Sequence, residues 1–289
     1  SIVTDTNLSC LAQTVLGPVP IGVLGPTLTH EHLFIDLARL TKQTAEASEK
    51  FKMLQPVSVK NLGWVRYDMF RNIDNQELFD EMTAISEVLL FKRWGGKTIV
   101  DATTLGIGRD PNALARISRA TDINIVMGTG YYVDATHPKN MPILPQADLT
   151  RKMVQEITSG VDGTELKAGI IGEIGCSWPI TVNEDKVLKA SAVTQRETGA
   201  SILIHPGRNE TAPFIILDIL DKAGADMSRV IISHVDRTIT NMDLLLELAQ
   251  LECYIEIDVF GRETSYYPLS EADMPNDAMR IGFISELID

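Results

Sequence analysis

The sequence lacks the features that mark disulfide-stabilised, secreted and membrane-spanning proteins. Its three cysteines, at positions 10, 176 and 253, are far apart, and no C-x-x-C pair occurs, so neither a disulfide framework nor a thiolate zinc site is indicated. The first residues contain no basic region followed by an apolar core, which argues against a signal peptide. No apolar run reaches the roughly 18 residues expected of a membrane span. Together these absences predict a cytoplasmic protein with reduced thiols.

Basic residues are also scarce relative to acidic ones. The 289 residues include 26 Lys and Arg against 39 Asp and Glu, which gives a formal net charge of −13. Nucleic acid and anionic membranes both repel an acidic body, so we expect neither as a partner. The acidity is spread along the chain, which leaves room for a locally basic pocket. We therefore expect a small-molecule substrate, and the sequence leaves the possibility of an oligomer open.

Seven short runs rich in Ile, Val or Thr alternate with amphipathic segments. They lie at 27–34, 97–103, 124–129, 168–174, 201–205, 230–234 and 254–258. Such runs are typical of parallel strands buried on both faces. The chain has no G-x-G-x-x-G motif after the first strand and no Walker-type loop, so an open doubly wound sheet is the less favoured alternative. We predict one TIM-like (β/α) barrel domain over residues 1–289, C-terminally incomplete because it lacks the eighth strand.

Helix signals support this alternation. Thr181 and Glu184 have the spacing of a capping box that opens a helix. A further amphipathic helix is predicted over 76–94, where Gly95 and Gly96 end it. Residues 35–75 precede that helix, and we expect them to form a loop or lid over the barrel mouth.

Four of the five histidines lie at the ends of predicted strands, where barrel enzymes carry their chemistry: His30, His32, His205 and His234. The first two are two residues apart and so share one face of their strand. Glu173 lies in the apolar run GIIGEIG, where a carboxylate is costly to bury unless it is paired or binds metal. The alternatives are core histidines and an acid paired with an arginine. We instead predict two divalent ions, Zn²⁺ before Mn²⁺ or Co²⁺, with Glu173 bridging them and a bridging hydroxide as nucleophile.

The segments TLTHEHL, GIIGEIGCSWPIT, IHPGRN, SHVDRT and GYYVDATHP together resemble the phosphotriesterase-related proteins of the amidohydrolase superfamily, from about residue 13 onward. The resemblance implies one metal at His30, His32 and Glu173, and a second at Glu173, His205 and His234. In phosphotriesterases proper the bridging position is usually a carboxylated lysine. The family also has a metal-binding, proton-accepting Asp at the end of strand eight, which this sequence does not reach. We expect Asp258, on strand seven, to contact the substrate or to support a metal ligand.

Four arginines each follow a strand end, so several of them can face the same mouth: Arg109, Arg208, Arg237 and Arg262. The alternative is that they pair with acidic loop residues at the surface. Arg208 and Arg237 are the favoured contacts for an anionic group, with Tyr131 and Tyr132 lining the pocket. The resemblance implies hydrolysis of small N-acyl amino acids or N-acyl taurines. Two alternatives remain open, a lactone or phosphoester hydrolase and a truncated, catalytically inactive isoform. With an open sheet edge, residues 1–289 are also expected to be poorly soluble or oligomeric.

Overall fold

The structure, a computed structural model, describes residues 10–288. Its strands, in chain order, are β1 (Leu11–Thr14), β2 (Gly17–Pro20), β3 (Thr27–Glu31), β4 (Ile35–Asp36), β5 (Glu77–Leu78), β6 (Thr98–Asp101), β7 (Asn124–Thr129), β8 (Ile170–Gly175), β9 (Ile202–His205), β10 (Val230–Ile232) and β11 (Tyr254–Ile255). Two antiparallel pairs, β1–β2 and β4–β5, lie outside the main sheet.

The main sheet has seven parallel strands in the order β3, β6, β7, β8, β9, β10, β11. Each strand pairs with the next one along the chain in this sheet, which is the order of a (β/α) barrel wall. All seven predicted strands are present, and the predicted fold class is confirmed as a curled half-barrel. Several strands are shorter than predicted, because pairing ends at Glu31 and at Ile255 while the predicted runs continue to 34 and 258.

The helices, in chain order, are α1 (Ala47–Leu54), α2 (Leu62–Tyr67), α3 (Glu81–Arg93), α4 (Pro111–Thr121), α5 (Gln146–Thr158), α6 (Val182–Thr198), α7 (Ala212–Lys222), α8 (Met242–Ala249) and α9 (Asp277–Ile288). Within residues 10–288, none of them combines the length and the apolar character needed to cross a membrane.

Local hydrogen bonds explain where the helices begin. The predicted capping box opens α6, with the Glu184 N–H donating to Thr181 Oγ1 and the Thr181 N–H donating to Glu184 Oε2. Helix α3 begins at Glu81 rather than at the predicted residue 76. The reason is that residues 77–78 pair with β4, and Asp80 accepts the first free N–H groups of the helix.

The core fills both the sheet and the helix layer outside it. One cluster packs β8, β9 and β10 against α6 and α7, with Ile204, Leu188 and Leu217 among its buried members. A second packs β6 and β7 against α3 and α4 through residues such as Ile125 and Leu114. Burial of each side chain of this size contributes about 1.5–3 kcal/mol to the free energy of folding. This packing holds the strands, and with them the strand ends, against the helices.

The segment predicted as a loop or lid contains structure that its polar sequence did not indicate. Helices α1 and α2 both lie within it. The segment meets the loop after β11, where Tyr67 stacks on Tyr266 with ring centroids 4.5 Å apart and Arg262 contacts the Met69 sulfur. These contacts join two long loops on the side of the sheet where the strands end.

The two ends of the sheet carry open edges. Strands β3 and β11 each pair on one side only within the described part of the chain. A groove of about 790 Å³ lies here, lined by Thr29, Ile255 and Ile257 and by Ile284 and Leu287 of α9. Unpaired strand edges beside apolar side chains favour association between chains. The self-association expected from the sequence stays a prediction.

Candidate functional site

One buried carboxylate occupies the centre of the candidate site. Glu173, on β8, is 2% exposed. One nitrogen of each of four imidazoles lies close to its oxygens: His205 Nδ1 at 2.8 Å, His32 Nε2 at 3.1 Å, His30 Nε2 at 3.2 Å and His234 Nε2 at 3.7 Å. The five residues predicted as metal ligands therefore meet at one point.

Backbone conformation brings two of these residues into position. Gly172, before Glu173, has a φ of +129°, and a Cβ at this residue would overlap the Leu203 carbonyl oxygen, so only glycine fits here. His234 lies in the left-handed region at φ +53°. Asp258 holds it there by accepting from the His234 N–H at 3.3 Å and from the ring Nδ1 at 2.8 Å.

Hydrogen bonds fix which nitrogen of His32 carries the proton. The Thr103 hydroxyl donates its single proton to the Phe34 carbonyl at 2.9 Å. Its oxygen can then only accept from His32 Nδ1, which lies 2.9 Å away. The lone pair of His32 is therefore on Nε2, which faces Glu173. Asp258 imposes the same tautomer on His234, because a carboxylate accepts from Nδ1–H.

The other two histidines are also held through the nitrogen that faces away from Glu173. His30 Nδ1 lies 3.0 Å from Ser233 Oγ and 3.3 Å from Glu256 Oε2. His205 Nε2 accepts from Arg237 Nη2 at 3.0 Å and lies 3.1 Å from the Tyr132 hydroxyl, so its Nδ1 carries the proton and donates to Glu173 Oε2 at 2.8 Å. A carboxylate such as Glu256 is the kind of partner that typically orients a metal-ligating histidine through its outer nitrogen.

The protonation preferences around Glu173 also suit a cation. Burial favours the neutral form of Glu173, but its interactions with the imidazoles of His205 and His30 outweigh burial and hold the pKa of Glu173 well below its usual range. Burial opposes a charge on His30, yet Glu173 raises the pKa of His30 well above its ordinary value. Burial holds the pKa of His205 well below its ordinary value, despite the charge of Glu173.

The residues present fit a divalent metal centre. A buried carboxylate that attracts positive charge, surrounded by four imidazoles of which His32 and His234 present lone pairs to it, is a donor set that suits Zn²⁺ and similar ions. His30 Nε2 is buried 3.2 Å from Glu173 Oε2, yet it forms no hydrogen bond with any group among residues 10–288. Ligand atoms of His30, Glu173 and His234 lie within 4.8 Å of one another, and those of His30, Glu256 and Asp258 do so as well.

Two of the predicted substrate arginines lie beside the metal-ligand candidates. Arg237 is 7% exposed, donates to the Pro206 carbonyl at 3.3 Å, and its Nη1 has no hydrogen-bond partner within the described chain. Burial, together with the positive charge of Arg208, lowers the pKa of Arg237. Arg208 donates through Nε to the Tyr267 hydroxyl at 2.5 Å. The two guanidinium groups therefore share one region next to His205.

Arg109 does not face the mouth and instead pairs with an acidic residue. Its guanidinium is buried and donates to Glu156 at 2.7 and 3.0 Å and to the Gly128 carbonyl. Arg109 follows a strand end in the sequence, but its side chain points into the helix layer because it binds the carboxylate of Glu156 on α5. Tyr131 lies on the same side, with its ring edge-on to His137, and burial raises its pKa to about 12. Its substrate role stays a prediction.

Comparison with known proteins identifies the family. The sequence model of the Phosphotriesterase family matches residues 11–289. The chain belongs to the phosphotriesterase family. A phosphotriesterase-related protein of Nematostella vectensis is 49% identical over 285 residues, which cover 97% of this chain and 81% of the relative. An N-acetyltaurine hydrolase of Bos taurus is 44% identical over 286 residues, covering 98% and 82%.

A solved structure agrees with this assignment. A resiniferatoxin-binding protein from Rhodobacter sphaeroides superposes with a TM-score of 0.91 at 35% identity, covering 96% of this chain and 78% of the other. The predicted family is confirmed, and the protein is a hydrolase. Enzymes of the phosphotriesterase family are binuclear metal hydrolases, and groups of metal-ligand residues are present here.

Sequence reasoning missed several residues of this phosphotriesterase-family site. Thr103 and Ser233 orient histidines, and nothing in their local pattern distinguishes them from ordinary polar strand ends. Glu256 did carry a signal, because it lies two residues before Asp258 in the run YIEID and so shares its face. Tyr267 lies in a loop whose approach to Arg208 depends on tertiary structure.

Proposed function

We propose that this hydrolase uses two divalent metal ions, Zn²⁺ before Mn²⁺ or Co²⁺. His30, His32 and Glu173 would hold one ion, and Glu173, His205 and His234 would hold the other. The observation that carries the proposal is the approach of four imidazole nitrogens to within 2.8–3.7 Å of one buried carboxylate. When bound, such ions polarise a carbonyl oxygen and lower the pKa of water.

The chain's own residues hold this arrangement. Glu173 is the bridging ligand in the proposal, and its charge offsets part of the charge of both ions. Thr103 and Asp258 fix the tautomers of His32 and His234, so that each presents a lone pair towards Glu173. Burial of Glu173 and His205 keeps bulk water from competing for the ligand atoms.

We infer that the substrates are small N-acyl amino acids or N-acyl taurines that carry an anion. Arg237 supports this, because it is buried with no carboxylate within 4.0 Å among the described residues. An unpaired buried charge is unfavourable unless a ligand pairs with it. The cattle relative named N-acetyltaurine hydrolase points in the same direction. Tyr132, Arg208 and Asp258 complete the proposed pocket wall, and Tyr131 stays in the proposal without a supporting contact.

A panel of substrates tests both which bond the enzyme hydrolyses and whether the substrate must carry a negative charge. N-acetyltaurine, its neutral counterpart N-ethylacetamide, a lactone and an aryl phosphotriester would be compared with Zn²⁺-loaded protein. We expect the highest kcat/KM for N-acetyltaurine, and none of the reactions in Glu173→Gln. Glu165→Gln, at an exposed carboxylate, is the matched control. A preference for the lactone or phosphotriester would change the bond assigned, and no turnover by the wild type would favour the inactive alternative.

The proposal also includes the number of domains and the cellular compartment of the protein. We propose a single domain and a cytoplasmic location, supported by free thiols at Cys10, Cys176 and Cys253. Limited proteolysis that leaves one resistant core would agree with a single domain. Two separable folded fragments would contradict it.

A further inference from the structure

Tyr267 joins two arginines from different loops. It lies 5% exposed in the loop after β11, and its hydroxyl accepts from Arg208 Nε at 2.5 Å. Its ring lies under both guanidinium groups, with the ring centroid 4.7 Å from Arg262 Cζ and 5.4 Å from Arg208 Cζ. Stacking of a guanidinium on an aromatic ring is favourable, more so when it is shielded from water.

The half-buried Arg208 and Arg262 and the buried Arg237 differ from the arginines with fully buried side chains in having no acidic partner. Arg109 and Arg280 are buried with a carboxylate at 2.7 and 2.6 Å. Within residues 10–288, Arg208, Arg237 and Arg262 have no carboxylate within 4.0 Å. Arg237 Nη1 and Arg262 Nε are buried and have no hydrogen-bond partner in the same part of the chain. The protein gathers positive charge here and leaves donors uncommitted.

A phenol suits this arrangement better than a carboxylate would. Tyr267 offers an oxygen acceptor and a ring face, which hold the guanidinium groups together without neutralising them. A carboxylate at the same place would bind the arginines and then compete with an incoming anion. Arg208 lines a cavity of about 710 Å³ together with Thr238, residues 268–272 and the carboxylate of Glu210. A small anion that enters this cavity meets Arg208, and the positive charge of Arg208 acts on both Arg237 and Arg262, which carry the uncommitted donors.

We propose that Tyr267 is a specificity-determining residue that holds Arg208 and Arg262, with Arg237, as a receptor for a three-oxygen anion such as a sulfonate or phosphonate. The donors come from three separate guanidinium groups. The three oxygens of such a group point in three directions and can accept from donors that are not coplanar, whereas the acceptor sites of a carboxylate lie in one plane. This inference rests on the proposed function, because it names the part of that site that selects the anion.

The direct test is binding of ethanesulfonate, which has no bond to hydrolyse, measured by isothermal titration calorimetry. We expect Tyr267→Phe to bind about tenfold more weakly, the low end for a lost hydrogen bond to a charged group. Tyr267→Leu, which also removes the ring, should bind more weakly still. Propionate should bind the wild type less tightly than ethanesulfonate, and this difference should shrink in Tyr267→Phe. Tyr254→Phe removes a hydroxyl from a side chain that is 65% exposed and should match the wild type.

Kinetics separate this proposal from the proposed reaction. Tyr267→Phe should raise KM for N-acetyltaurine about tenfold while kcat changes by less than about twofold, and N-ethylacetamide should not respond. If the variants lose ethanesulfonate affinity but the wild type hydrolyses no amide, the role of Tyr267 stands and the proposed reaction fails. If the wild type hydrolyses N-acetyltaurine and Tyr267→Phe matches it in affinity and KM, the role of Tyr267 is wrong. The Phe variant keeps the test decisive should the Leu variant not fold.

Discussion

Replacing Thr103 with valine should weaken metal binding without changing any metal ligand. Valine has nearly the shape of threonine, so the change removes one buried hydroxyl and its two hydrogen bonds, to His32 Nδ1 and to the Phe34 carbonyl, both at 2.9 Å. His32 then loses the contact that keeps its proton on Nδ1. Loss of such an outer partner typically lowers metal affinity 10–100-fold, or about 1.4–2.7 kcal/mol. The metal-free protein should also lose about 1–3 kcal/mol of stability, because a buried N–H is left without an acceptor.

The assay is competition for Zn²⁺ against a chromophoric chelator, with urea unfolding of the metal-free protein alongside. Thr104→Val is the matched control, because Thr104 is the next residue, is fully buried, and its hydroxyl has no hydrogen-bond partner within the described chain. We expect the control to keep wild-type affinity. Equal affinity in wild type and Thr103→Val, or equal losses in both variants, would refute the argument that Thr103 fixes the tautomer of His32.

Three further predictions concern the anion site, acid stability and the sheet edges. Arg237→Lys should raise KM for N-acetyltaurine by about tenfold or more, because lysine cannot form the planar contact of a guanidinium group. The kinetics with N-ethylacetamide should stay unchanged, and an equal rise in KM for both substrates would contradict the role of Arg237 in binding the anion. Burial disfavours the charge of Glu156, but the interaction with Arg109 outweighs burial and lowers the pKa of Glu156. The stability that the ionised Glu156 gives the folded protein is therefore fully present above the unfolded-state pKa of about 4.3, and it is lost as the pH falls through the folded-state pKa. Glu156→Gln should therefore lower the free energy of unfolding in urea by about 3–5 kcal/mol at pH 7 and make that free energy less dependent on pH below about pH 4.3. An unchanged pH dependence of the free energy of unfolding in this range would contradict the prediction. Residues 1–289 should self-associate in sedimentation velocity through the open edges of β3 and β11, and a monomer at high concentration would contradict that prediction.

The convergence of the candidate metal ligands was predictable because it depends on strand periodicity. His30 and His32 are two apart, and His205 and His234 follow apolar runs, so parallel pairing alone brings them to one end of the sheet. The isolation of Glu173 in an apolar run indicated a buried charge before any partner was known. These signals are local in sequence, and the structure combines them through the regular order of the strands.

The rest depended on contacts between distant segments. Arg109 was one of the four arginines that follow a strand end, but Glu156 lies 47 residues away, and no local pattern indicates that the two would pair. The two short helices before α3 were not predicted because the Lys, Glu, Gln and Asn content of the whole segment 35–75 resembles that of a loop. Tyr267 meets Arg208 across 59 residues, so its role followed only from the tertiary structure.

The most direct test of the metal centre is the metal content of the purified protein, with Glu173→Gln and Glu165→Gln compared after identical loading with Zn²⁺ and gel filtration. Elemental analysis should give about two ions per chain for the wild type and for Glu165→Gln, whose carboxylate is exposed. Glu173→Gln should retain well under half of that amount, because the change removes a ligand from both ions. Equal metal content in all three proteins would contradict the assignment of Glu173 as the bridging ligand.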